Sequence, residues 1–245
     1  INKRNTDAFD TISDFVSVAI DPRNHSKVYV GSYHKGLLEF ENFEVKKIYN
    51  HTNSSLGLLS GYNYVYVTSL DFDSKNNLWV ANHGSDKMLS VKTIDNNWYS
   101  FNIGSGYISK LVVDDNDYKW ILTRDGNFIV YNDNNTISNK SDDQHKTVGK
   151  TIGQGGLHSE ANCMAVDKNG TMWIGTNDGL ALFYNTSNIF QKGANYDASR
   201  ILVPRNDGSG QADYLLSGES VISIAIDDAN NLWVGTKNGV FYISN

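Results

Sequence analysis

The chain has 245 residues, a net charge of −6, 40% hydrophobic residues and 20% charged residues. That balance folds around a core, and an acidic surplus with no Lys/Arg block argues against counterion-release binding to nucleic acid or to anionic membranes. No apolar run approaches the roughly 18 residues a membrane helix needs, so no membrane insertion is expected of this segment. The start at Ile1 reads as that of a processed or excised soluble piece. One cysteine, Cys163, excludes an internal disulfide and cysteine-based zinc clusters, and within ANCMAV it reads as inert packing.

Self-comparison along the chain finds one motif recurring about five times, at 15–40, 67–91, 108–131, 161–184 and 221–244. Each copy predicts an alternating apolar strand ending in Asp, a polar turn, a strand centred on an aromatic anchor, a short turn and a third apolar strand. The anchors are Tyr29, Trp79, Trp120, Trp173 and Trp233. Outer fourth strands are expected at 48–52 (IYNHT), 97–103 (NWYSFNI) and 200–206 (RILVPRN), with 211–216 (QADYLL) leading back. The connections 132–162 and 185–220 exceed ordinary hairpin lengths, so each should add a strand or an outward partner surface. The glycine-rich 153–156 reads as a flexible connection. A four-stranded meander cannot bury both faces alone, so neighbours must stack. Radial stacking predicts an all-β fold, a β-propeller of four-stranded antiparallel blades, about five in this chain, with the anchor rings between blades. Residues 1–245 then form a single propeller domain or a propeller fragment. Either residues 1–14 supply the missing outer strand of the last blade, or the chain is part of a larger ring.

The strings NLWVGTKNGV (231–240) and TMWIGTNDGL (171–180) resemble the two-component-regulator propeller repeat, with its Trp-Ile/Val-Gly-Thr segment and Asn/Asp-Gly turn. The other three copies depart from it: Tyr29 replaces Trp, Ala81-Asn82 replaces Gly-Thr, and Leu122-Thr123 replaces it again. Such repeats occur in periplasmic sensor halves of hybrid histidine kinases. DPRNHSKVYVGSYHKGLLEF (21–40), FDSKNNLWVAN (72–82) and above all ILVPRNDGSGQADYLL (201–216) are similar to the later propeller of PorZ-type proteins of the type IX secretion system. That resemblance implies a non-enzymatic extracytoplasmic scaffold or recognition domain, periplasmic or at the cell surface. Its partners would be other domains of the same longer chain and other secretion or signalling proteins. The alternatives are the ligand-sensing propeller of a hybrid two-component kinase and a streptogramin-lyase-like enzyme using His83 with Glu160 or Glu219.

In a propeller the turns between second and third strands converge with the connections into the first strands at one channel mouth, where ligands usually bind. The turns carry Tyr33, His34, Lys35, His83, Asp86, Lys87, Arg124, Asp125, Asp178 and Lys237. The connections add His158 and Glu160, Glu219, and the tyrosines Tyr62, Tyr64 and Tyr107. A glycan or peptide site is the functional expectation, and plain solvated hairpin turns are the simpler one. No catalytic residue, metal or cofactor is called for. DFDSKNN (71–77) and DDND (114–117) resemble the start of a calcium loop, but neither has the bidentate Glu at position twelve and the first lacks the Gly at position six, so Asx-turn capping is the better account. A zinc site would have to rest on the ring gathering His34, His83 and His158.

Overall fold

The computed structural model describes residues 12, 14–104, 107–148, 157–193 and 196–244. Two compact units divide the chain: Ile1–Val113 with Asp133–Asp143, and Asp114–Asn132 with Gln144–Asn245. The first unit holds two four-stranded antiparallel meanders. One is β1 (Phe15–Ile20), β2 (Lys27–Ser32), β3 (Leu37–Glu41) and β4 (Glu44–Tyr49); the other is β5 (Val67–Phe72), β6 (Leu78–Asn82), β7 (Leu89–Lys92) and β8 (Trp98–Phe101). Strand β9 (Ile108–Val113) packs on the second of these.

The second unit holds β10 (Lys119–Thr123), β11 (Phe128–Asn132) and β12 (Gln144–Val148), paired in that order. It continues with the three-stranded meanders β13 (Ala161–Val166), β14 (Met172–Thr176), β15 (Gly179–Phe183) and, further on, β18 (Val221–Ile226), β19 (Leu232–Thr236), β20 (Gly239–Ile243). Between them stands a separate hairpin, β16 (Leu202–Pro204) with β17 (Ala212–Tyr214). Among the described residues the one helical element is a 3-10 turn at Thr186–Asn188.

The turn after each first strand explains why the motif pairs Asp with Trp. Asp73, Asp114, Asp167 and Asp227 each stand six residues before an indole. One carboxylate oxygen accepts backbone N–H groups two and four residues on: Lys75 and Asn77, Asn116 and Tyr118, Asn169 and Thr171, Ala229 and Asn231. The other oxygen accepts the indole Nε1–H of Trp79, Trp120, Trp173 or Trp233, at 2.9, 3.0, 2.8 and 3.2 Å. The residue three after each Asp, which is Asn76, Asp117, Gly170 and Asn230, takes positive φ, a conformation in which Asn, Asp and Gly are enriched. These loops therefore use their carboxylates on their own backbone and side chains, as the Asx-turn account expects.

The first repeat departs from the pattern. Asp21 is taken up by Arg23, which donates its backbone N–H, Nε and Nη2 at 3.0, 3.1 and 2.9 Å. The anchor is Tyr29, and beside it the Tyr49 hydroxyl donates to Glu39 Oε2 (2.6 Å) while Lys27 Nζ pairs with Glu39 Oε1 (2.9 Å). Buried Lys92 lies over the Tyr29 and Tyr49 rings, and its burial pulls its pKa down although Glu39 pulls the other way. A polar cluster thus takes the space an indole fills elsewhere.

Sheets within each unit bury their faces on one another. Tyr29, Leu37 and Tyr49 pack with Val65, Val67, Leu70 and Val80 in the first unit; Trp173, Leu180 and Leu182 pack with Val221, Leu232 and Val234 in the second. Trp79 and Trp120 are fully buried and Trp173 is 8% exposed, whereas Trp233 is 47% exposed. Phe15, Val18 and Ile20 of β1 are exposed as well.

Two outer strands differ from expectation. The strand placed at 48–52 is β4, Glu44–Tyr49, and it ends where Asn50 Oδ1 accepts the Thr52 N–H and hydroxyl in a tight turn. The segment 200–206 is not a fourth strand on β15. Only Ser199 bridges to Leu182, after which the chain leaves the sheet and Leu202–Pro204 pairs with Ala212–Tyr214. Positive φ at Asn206, Gly208 and Gly210 turns it back on itself. The strand expected within 97–103 is β8, and the 132–162 connection supplies β12 beside β11. The glycine-rich 153–156 and the opening residues, Ile12 and Asp14 excepted, lie outside the described residues.

Candidate functional site

In three of the repeats the turn between second and third strands is built by a hydroxyl on the last residue of the second strand. Ser32 Oγ accepts the N–H groups of His34 and Lys35 at 3.2 and 3.0 Å. Thr176 Oγ1 accepts the Asp178 N–H and Thr236 Oγ1 accepts the Asn238 N–H, at 3.0 and 3.1 Å. This is the physical role of Thr in Gly-Thr. In the first repeat Gly36, at φ +81, is required, because a Cβ there would stand 2.3 Å from the Tyr49 carbonyl oxygen.

In the first unit these turns gather aromatic rings. Tyr62 lies 5.2 Å from Tyr64 between centroids; Tyr64 lies 5.8 Å from Tyr33 and 4.7 Å from His34. Tyr33 continues to Tyr66 (4.2 Å), Tyr66 to His83 (4.8 Å) and His83 to Tyr107 (5.0 Å, stacked). The result is a continuous ladder across three repeats, with Tyr33, Tyr62 and Tyr107 exposed and Tyr66 and His83 buried between them. His83 Nδ1 donates to the Ile108 carbonyl (2.6 Å), so this histidine is a packed strut within the ladder.

His34 is held by Asp14: Nδ1 to Oδ2 is 2.6 Å, and the Ser32 hydroxyl donates to the other oxygen at 2.8 Å. Burial pushes the Asp14 carboxyl up, but the Ser32 and His34 hydrogen bonds outweigh it and leave the carboxyl below its ordinary value. Lys35, Asp86 and Lys87 are exposed beside this ladder's turns. Asp86 accepts from Ser85 Oγ at 3.3 Å.

In the second unit the expected residues join a different network. Asp178 accepts the Gly218 N–H (2.6 Å), the Ser217 hydroxyl (3.2 Å) and Arg200 Nη2 (3.2 Å). The Gly218 bond is the main reason its carboxyl lies below the ordinary value, burial opposing. His158 Nε2 donates to the Asp178 carbonyl at 2.9 Å, and the Arg200 guanidinium lies over the Tyr214 ring at 4.0 Å. Glu160 accepts from Asn177 Nδ2 at 3.4 Å and Glu219 accepts from Asn238 Nδ2 at 3.0 Å. Asp125 is tied to Thr123 and Asn127 within its own turn, while Arg124 and Lys237 project into solvent.

Sequence reasoning missed Asp14, Tyr66 and Arg200. Tyr66 was legible, since Tyr62, Tyr64 and Tyr66 alternate and so lie on one side of an extended segment; Asp14 and Arg200 are recruited by tertiary contact and carry no local signal. Among the described residues no group of three or more His, Cys, Asp and Glu side chains is arranged to hold a metal ion. Cys163 is half-buried and packs against the Trp173 cluster.

Residues 155–178 and 215–238 match the two component regulator propeller family, so these two repeats are of that kind. PorZ, from the type-IX secretion system of Porphyromonas gingivalis, is similar over 93% of this chain and 32% of its own, with 24% identity and a TM-score of 0.78. The chain therefore spans about a third of that protein's length. An extracellular domain assigned to hybrid two component system BT3049 of B. thetaiotaomicron matches over 94% of this chain and 28% of its own, with 19% identity and a TM-score of 0.59. Virginiamycin B lyase of Staphylococcus aureus matches over 100% and 72%, with 10% identity and a TM-score of 0.60. No curated protein matches. At these identities the likenesses give the fold: the meanders are blades of a β-propeller.

Proposed function

We propose that this chain is a non-enzymatic, extracytoplasmic recognition and scaffold segment of a PorZ-like protein serving type IX secretion. The observation that carries the reading is the likeness to PorZ, a bacterial surface component of that system, at a TM-score of 0.78 over nearly the whole chain. In support, three of the titratable residues at the turns are spent on structure. His83 holds a carbonyl, His158 holds another, and Asp178 ties down the connection that ends at Gly218. The exposed tyrosines of the first unit offer the recognition surface, with Lys35, Asp86 and Lys87 exposed beside them. Flat aromatic faces stack on sugar rings or on extended peptide, which makes a glycan or a peptide the matching ligand.

Deleting the gene in its host tests the proposal. Loss of type IX cargo from the cell surface, restored by the intact gene, is the expected result. Unchanged cargo export with an altered transcriptional response to a carbohydrate signal would overturn it in favour of the sensor propeller, the reading favoured by the likeness to the two component extracellular domain. Metal-dependent turnover that disappears on replacing His83 and His158 would favour the lyase instead.

A further inference from the structure

The aromatic ladder occupies one end of the second sheet, and a polar cleft occupies the other. There the chain joins β7 to β8 through the tight turn 93–97, whereas the next repeat joins β11 to β12 through the longer Asp133–Asp143. That longer connection belongs to the first unit. Lys140 Nζ donates to the Ser100 carbonyl at 2.6 Å and stands 5.1 Å from the Phe101 ring centre, and Lys75 Nζ donates to the Asn135 carbonyl at 3.4 Å. Between the loop and the turns runs a cleft of about 280 Å³.

The polar side chains around it divide by what they already hold. Asp73 accepts the Lys75 and Asn77 N–H groups, the Asn77 side-chain amide and the Trp79 indole, and Asn77 Oδ1 accepts the Ile94 N–H. In the loop, Asn134 donates to the Asp142 carbonyl, Thr136 to the Asp142 carboxylate and Ser141 to Asn139 Oδ1, which folds the loop on itself. Asp95, Asn97, Tyr99, Asn135 and Ser138 also line the cleft, and their side chains make no hydrogen bond among the described residues. One carboxylate, two primary amides and two hydroxyls thus stay open, offering acceptors and donors together. Ile94, Ile137 and the Tyr99 ring add apolar surface between them.

This lining suits an uncharged ligand. An anion would meet the Asp95 carboxylate, and a cation would meet the Lys75 ammonium. A sugar ring matches the rest, because its hydroxyls donate and accept at once while its C–H face packs on an aromatic ring. We propose that the cleft binds a neutral glycosyl unit, with Tyr99 under its C–H face and Asp95, Asn97, Asn135 and Ser138 on its hydroxyls. The site stands apart from the tyrosine ladder, so it holds whichever ligand the ladder takes.

Titration of the chain with neutral gluco-, manno- and galacto-disaccharides, and with a uronic-acid disaccharide for comparison, tests the assignment. At least one neutral disaccharide should bind with a millimolar or tighter dissociation constant and shift the amide NMR signals of 93–99 and 135–138 most. Asn97→Ala and Asn135→Ala should each weaken it roughly 3- to 10-fold, the loss of about one net hydrogen bond. Tyr99→Leu, which keeps bulk and loses the ring, should weaken it at least as much, and Tyr62→Ala at the far end of the strands should leave it unchanged. The amide spectrum of each variant without sugar reports that it is folded. No binding of any neutral disaccharide at millimolar concentration would overturn the proposal, as would a preference for the uronic acid. Binding abolished by Tyr62→Ala and spared by Asn97→Ala would overturn it too, while supporting the ladder as the recognition surface.

Discussion

The sheets β13–β15 and β18–β20 are built from the same instructions and end in different surroundings. Each sets an Asp carboxylate against an indole six residues on, at 2.8 and 3.2 Å, and each closes its outer turn with a threonine hydroxyl. Yet Trp173 is buried and Trp233 is nearly half exposed. The local hydrogen bonds therefore shape a sheet whether or not a neighbour covers it, and the burial that stabilises it comes from stacking.

The largest separation should come from the anchors themselves. Trp173→Ala should lower unfolding stability by about 3–5 kcal/mol, the usual range for emptying a buried aromatic site. Trp233→Ala should cost less, about 1–2 kcal/mol, because only about half of its surface is removed from water. Urea denaturation of the two variants measures the gap, and equal losses would break the comparison.

Next come the carboxylates. Asp167→Ala leaves the Trp173 indole N–H and the Asn169 and Thr171 amides without their acceptor, a loss of about 2–3 kcal/mol for a buried charge-assisted set. Asp227→Ala should lose less, because water reaches the groups it frees.

A smaller effect is expected from acid. Asp178 has its carboxyl held below the ordinary 3.8 by the Gly218 N–H, with Ser217 and Arg200 adding to it. A depressed carboxylate contributes stability that is fully present above its unfolded value and fades as the pH falls through its folded value. Protection factors of the amides in 214–220, taken against the intrinsic exchange rate at each pH, should therefore fall as the pH drops below about 3.8, and Asp178→Asn should remove that fall. The smallest effect belongs to the hairpin. Arg205 meets Asp213 at 2.7 and 2.6 Å in full view of solvent, so Arg205→Ala should leave the urea midpoint unchanged and only speed amide exchange in β16 and β17.

Much of this was written in the residues. Alternation with a recurring aromatic anchor marked the first three strands of every repeat, because strand period and anchor position are local properties. Outer strands were harder. The pattern at 48–52 is cut short by an Asn50 turn, and the apolar Leu202–Pro204 pairs with its own hairpin. Both outcomes depend on which hydrogen-bond partner wins, which alternation does not encode. At the turns, chain position identified the residues that gather but not their work. His83 and Asp178 read as ligand groups and serve as a strut and a latch, since a carbonyl or an amide from a distant segment reaches them first.

Because the Asp-to-indole bond closes within a single hairpin, each of the four tryptophan anchors is oriented by its own stretch of gene. A duplicated segment would bring its own instructions for the ring it must present, and a deleted one would take them away. Only the two flanking surfaces would then have to be matched anew. Propeller size in such proteins can on this account drift by whole units, at the cost of one interface per step and with no rewriting of the sheets between.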